Sequence, residues 1–142
     1  MRILVLAVGR IKDRAYSQMC DDYLRRIQRH CAVEVREVKS SEGLLKQLAP
    51  TDLVIAMEVD GQGWTSSQFA GRVQQWVESG RPRLVFLIGG AEGLPSQVSA
   101  DASVRMSLSN LTLPHRLARV LLLEQLYRAF SIWRGEPYAR ED

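Results

Sequence analysis

No hydrophobic stretch near the start of the 142-residue sequence is long enough for a signal core or a membrane span: the run Ile3 to Val8 is followed at once by Arg10, Lys12, Asp13 and Arg14. The protein is therefore expected to be cytoplasmic, with no membrane partner. Cysteine is scarce too. Cys20 and Cys31 lack C-x-x-C spacing, so a disulfide framework or a zinc site has no support, and no metal is expected at the His30-Cys31 pair. Repeats and low-complexity tracts are missing. A large charge excess is missing as well: 19 basic against 16 acidic residues leave a formal net charge of +3, which permits a nucleic-acid partner without requiring one.

What is present is ordinary globular composition, 46% hydrophobic and 25% charged, in a chain sized for one domain spanning residues 1–142. Arg2 to Val8 reads as a strand buried on both faces and ending at Gly9, and Ala15 to Gln28 as an amphipathic helix. Val33 to Val38 alternates apolar and polar residues, which marks a strand with one wet face near the sheet edge. Ser41 to Leu48 has a short helical pattern. Thr51 to Val59 returns to a buried strand and ends in the turn signal Asp60-Gly61-Gln62-Gly63. Thr65-Ser66-Ser67-Gln68 is a capping box for a helix that closes at Gly80. Leu84 to Ile88 is the most apolar strand, Pro95 to Ala100 makes a turn or two of helix, and Ala102 to Leu108 is a weaker strand. Five strands with helices between them predict an α/β fold, a mostly parallel sheet covered by helices on both faces.

The chain is organised around Leu108 to Phe130, a loop that passes through Pro114 into the longest apolar helix pattern. Leu117, Val120 to Leu123, Leu126, Tyr127, Ala129, Phe130 and Trp133 cover more than one stripe, which predicts a helix packed under the sheet on one side and against a second copy on another. Its start carries His115, Arg116 and Arg119. Cations there oppose the helix dipole, at about 0.3 to 1 kcal/mol each when exposed, so the cluster beside free N–H groups points to an anion.

Three loops fall at strand carboxyl ends: Met57 to Gly63, Gly89 to Gly93, and Leu108 to Pro114. A fourth, Gly9-Arg10-Ile11-Lys12, follows the first strand; its two cations either meet phosphate or stay solvated. Glycines at 89, 90 and 93 let the backbone approach a ligand. A dinucleotide site fails, because no acidic residue stands at the end of the next strand and no second βαβ half follows. A mononucleotide-sized ligand fits better. Leu111 and Leu113 can flank a purine ring while the backbone of the third loop meets its edge.

Leu6-Ala7-Val8-Gly9-Arg10, Glu58 to Trp64 (E-x-x-G-x-G-W), Leu87 to Leu94 (LIGGAEGL), Leu108 to His115 (LSNLTLPH), Glu124 to Ala129 and Pro137-Tyr138 together resemble the RlmH family across nearly the whole chain. The resemblance implies a SPOUT-class methyltransferase that uses S-adenosylmethionine to methylate N3 of a pseudouridine in large-subunit (23S) ribosomal RNA, the substrate being that RNA either alone or within a ribosomal particle. It further implies a trefoil-knotted α/β fold and a homodimer. Carried over by position, the cofactor contacts are Met57, Gly89, Gly90, Leu108, Ser109, Asn110, Leu111, Thr112 and Leu113. RNA is expected at Arg10, Lys12, His115, Arg119, Tyr138 and Arg140, with Arg119 and Tyr138 the candidate catalytic groups. Several members of the family end in Pro-Tyr-His and a basic residue, whereas this chain has Pro137-Tyr138-Ala139-Arg140, so that histidine's place is vacant. The segment between Val38 and Asp52 is also short. The competing readings are a non-catalytic RNA-binding or ribosome-assembly module on the same fold, and a small enzyme with another adenosine ligand.

Overall fold

A computed structural model describes residues 1–140. In chain order the elements are β1 (Arg2–Val8), α1 (Arg14–Gln28), β2 (Ala32–Val38), α2 (Ser41–Lys46), β3 (Leu53–Gly63), α3 (Ser66–Val77), β4 (Arg83–Ile88), α4 (Ser96–Asp101), β5 (Val104–Ser107), α5 (His115–Arg134) and a 3-10 turn, Pro137–Arg140. All five strands lie in one sheet ordered β2-β1-β4-β3-β5, and every pairing is parallel. The α/β expectation holds, including β2 at an edge.

Side chains alternate across each strand, so β1 divides its residues between two cores. Ile3, Val5 and Ala7 join Leu84 and Phe86 of β4 beneath α1, α3 and α5, where Phe69, Val73, Leu122, Leu126 and Phe130 are buried. Leu4, Leu6, Val85 and Leu87 face the other way, toward Leu44 of α2 and Val98 of α4. The first core is much the larger.

The sequence attributed the burial of α5 partly to a second copy. Within one chain α5 already packs against both α1 and α3, and that contact buries Val120, Leu122, Leu123, Leu126, Ala129 and Phe130. The burial of this helix therefore carries no argument for a dimer.

Local signals behave as their chemistry demands at two helix starts. Asp13 caps α1, accepting from the N–H groups of Ala15 and Tyr16 at 2.8 and 3.4 Å. At α3 the Thr65 hydroxyl accepts from Gln68 N while the Gln68 amide accepts from Thr65 N, a closed capping box. Thr65→Ala is expected to cost about 1 kcal/mol, read as a lower urea midpoint at unchanged slope.

The expected turn at Asp60 to Gly63 is instead the continuation of β3. Met57 and Gln62 both stand opposite Met106 of β5, so the residues between them bulge out of the ladder and pairing resumes at Gln62 and continues at Gly63. Gly61 makes this possible. A Cβ on it would lie 2.6 Å from the Met106 backbone nitrogen. At the opposite end of the sheet Asp52 and Arg83 form a two-pronged pair, with Nε–Oδ1 and Nη2–Oδ2 at 2.9 and 2.7 Å. Asp52 also accepts from Ala49 N, and Arg83 donates to Gln47 O.

Candidate active site

The carboxyl ends of β3, β4 and β5 open on one cavity of about 410 Å³. That size suits a small organic ligand. Of the cofactor residues expected from the sequence, Met57, Gly89, Gly90, Leu108, Ser109, Leu111, Thr112 and Leu113 line it. Asn110 does not; it is exposed. The cavity also takes in Val59, Ile88, Leu94, His115 and Ala118, which gives it an apolar wall with polar groups at the rim. Leu111 is 75% exposed although apolar, as a side chain at a cavity mouth would be.

The glycines earn their places differently from what a ligand-approach argument supposes. A Cβ on Gly89 would fall 2.5 Å from the Gly93 carbonyl carbon, so Gly89 is required by the closure of its own turn. That turn is fastened by Gly93 N donating to Gly90 O at 2.9 Å. Only Gly93 of the three has a positive φ, +78°.

Charge enters from two residues of the first strand-end loop to which the sequence assigns no contact. Glu58 and Asp60 line the cavity because the β3 bulge turns them there. Arg105 holds both, its Nε on Glu58 and its Nη2 3.0 Å from Asp60 Oδ1, and Ser99 Oγ adds a 2.7 Å bond to Glu58. Glu58 thus comes to the rim already neutralised.

His115 lies on the cavity wall, with its Nε2 3.8 Å from where a Cβ on Gly9 would stand. Pro114 is the N-cap of α5 rather than its first residue, and no side chain caps that end. Arg116 is exposed there. Arg119 departs from the anion-facing cluster expected at this helix start: it is only 3% exposed, paired with Glu37 of β2, and bonded through Nη2 to Gly9 O at 3.2 Å. A guanidinium so committed cannot also receive a phosphate. The alternation expected over Val33 to Val38 fails at Glu37, which shares the face of Val33 and Val35 toward the helices, and a carboxylate on that apolar face is the signal that it has a partner there. Burial works against its charge, yet Arg119 and the Ile11 N–H hold its carboxyl below the usual range.

Tyr138 and Arg140 stand outside the cavity of their own chain. The Tyr138 hydroxyl donates to Glu124 at 2.7 Å, with Tyr23 OH 3.3 Å away. Burial, then the bonds to Tyr23 and Glu124, push this phenol well above its ordinary value. Arg140 is exposed and touches Gly135 O at 3.5 Å. Elsewhere, His30 stacks on Phe130 at 5.3 Å and burial pushes the Cys31 thiol up to about 11, so neither is poised for chemistry. Among the described residues no cluster of His, Cys, Asp or Glu is arranged to hold a metal, and no helix is long and apolar enough to cross a membrane.

A family model described as "Predicted SPOUT methyltransferase" matches residues 1–139. The chain belongs to the SPOUT methyltransferase family. Membership makes it a methyltransferase working from a methyl donor. Curated relatives agree over their full length. The protein named Ribosomal RNA large subunit methyltransferase H from Sorangium cellulosum is 49% identical, the match covering 98% of this chain and 99% of that one. Proteins of the same name from Anaeromyxobacter sp. strain Fw109-5 and Clostridium beijerinckii are 41% and 34% identical, each match covering 97% of this chain and 99% of theirs. Two solved structures share the fold: a probable methylase family protein from Haemophilus influenzae superposes with a TM-score of 0.57 at 12% identity, covering 96% of this chain and 68% of that one. TrmJ from Z. mobilis gives the same score and identity over 91% and 70%.

Proposed function

We propose that this protein uses S-adenosylmethionine to methylate N3 of a pseudouridine in large-subunit ribosomal RNA, within a ribosomal particle, as a cytoplasmic homodimer. The observation that carries the reading is the convergence of three strand-end loops on one cavity, in a chain aligned end to end with relatives named for that RNA. The cavity fits the donor. Leu108, Leu111 and Leu113 offer apolar surface for an adenine, the loop backbone offers hydrogen bonds to its edge, and Glu92 and Asp60 offer acceptors for hydroxyl or ammonium groups.

Bound there, the donor supplies an electrophilic methyl carried on a sulfonium. A free carboxylate against that charge would favour reactant over transition state, and Arg105 removes this objection for Glu58. The protein's own contribution is placement. Holding the uracil-type nitrogen in line is worth about 7 to 11 kcal/mol in favourable cases. His115 is the ionisable group best placed to hydrogen-bond the base or an adjoining phosphate, and Arg10 and Lys12 extend positive charge from the neighbouring loop. Tyr138 and Arg140 reach such a groove only from a second copy, which is where the homodimer enters the proposal.

The test is paired. Calorimetric titration with S-adenosylmethionine is expected to give a micromolar dissociation constant, with stabilisation of about 2.7 kcal/mol at a hundredfold excess over it. Ribosomal particles from cells lacking the modification are expected to gain one methyl, assigned to the pseudouridine by mass spectrometry. RNA binding with no response to the donor would instead establish the non-catalytic module.

A further inference from the structure

A buried arginine joins the loop after β1 to the helix that borders the cavity. Arg119 pairs with Glu37 Oε2, and the same oxygen accepts from Ile11 N at 3.0 Å. Arg119 also donates to Gly9 O. One guanidinium and one carboxylate therefore hold both the start and the middle of the Gly9–Asp13 loop. The arrangement is a poor choice for stability alone, since Arg119 Nε is buried with no hydrogen-bond partner among the described residues. Its neighbours explain it better. His115, one helical turn earlier on the same face of α5, lines the cavity, as does Ala118, while Arg10 and Lys12, which flank Ile11, are exposed.

We propose that Glu37 and Arg119 are a positioning pair that fixes the Gly9–Asp13 loop against the start of α5, so that Arg10 and Lys12 meet RNA phosphates beside the cavity. The inference rests on the RNA-methylating reading above. It assigns Arg119 no contact with substrate. Phosphate contacts set register and add affinity without reading sequence, so a displaced loop weakens RNA binding and leaves the donor's own loops intact.

The experiment is a cycle of Glu37→Gln, the double variant Arg10→Gln/Lys12→Gln, and all three changes together. Each is read as the RNA dissociation constant across a salt series, the KM for ribosomal particles, kcat, and the donor dissociation constant. Glu37→Gln is expected to weaken RNA binding and raise KM about tenfold, with kcat and donor binding within about twofold. The slope of log affinity against log salt should shrink by about one to one and a half, the share of two phosphates on a single strand. The triple variant should be no worse than the double, because Glu37 acts through the two cations. Multiplying effects, or a loss confined to the folded fraction with KM and salt slope unchanged, would overturn the proposal. Should Glu37→Gln fail to fold, Arg119→Lys enters the same cycle, keeping the charge but not the fork that reaches two acceptors. Because RNA binding is read apart from turnover, an inactive parent would sink the methyl-transfer reading and leave this result standing; a parent that binds no RNA would sink both.

Discussion

Gly89→Val is expected to abolish detectable binding of S-adenosylmethionine while leaving the protein folded. The cause is internal to the loop. A side chain at this position meets the Gly93 carbonyl carbon and the Leu94 nitrogen, at 2.5 and 2.7 Å from the first carbon alone, and backbone cannot move aside as a flexible side chain would. The turn must open, carrying Gly90 to Leu94 out of the cavity wall. Overpacking of this kind costs about 1 to 3 kcal/mol, or roughly 3 to 10 °C in melting temperature for a chain of this size. Donor affinity should fall by about a hundredfold or more, since the wall itself is displaced. Calorimetry on the variant decides it: a dissociation constant like the parent's would mean that the donor sits elsewhere. Gly93→Ala offers a graded comparison, because its φ of +78° imposes strain with nothing in the way of the added carbon.

Removing Asp52 should produce the largest loss of stability of any single change considered, about 3 kcal/mol or more for Asp52→Ala. The side chain is nearly sealed from water, and its loss strands Arg83 together with the Ala49 N–H. The same group sets part of the response to acid. Burial alone would raise the Asp52 carboxyl, but the bonds from Arg83 and Ala49 N hold it below its ordinary range. A carboxyl depressed on folding gives stability that is complete above its unfolded value, about 3.9, and drains away as pH falls through the folded one. Urea midpoints between pH 5 and pH 2 should therefore fall less steeply in Asp52→Asn than in the parent. Parallel curves would show that the pair does not titrate with folding.

Much of this architecture was legible because its signals are local. The alternation from Val33 to Arg36 placed β2 at an edge, and Thr65 with Gln68 announced the start of α3. The cavity loops were legible for a different reason: in parallel sheets the connections after strands gather at one rim, so three glycine- or leucine-bearing segments at strand ends had to be neighbours. What stayed hidden depended on distant partners. Arg119 reads as a ligand for an anion because its carboxylate lies 82 residues away, on a strand whose pairing the helix pattern cannot reveal. Asp60 to Gly63 has the composition of a turn, and only the close fit of Gly61 on Met106 makes it a strand that bulges. Tyr138 invited a catalytic role from its place in the tail. Its bond to Glu124 depends on how the tail folds back onto α5.

The excursion in β3 divides labour within the sheet. Because Met57 and Gln62 share one partner, Glu58, Val59 and Asp60 take no part in setting alignment between strands. Insertions or deletions at Glu58 to Asp60 would reshape the cavity's edge while each flanking residue kept its mate. Ligand preference can therefore diverge at this point without refolding the scaffold beneath it.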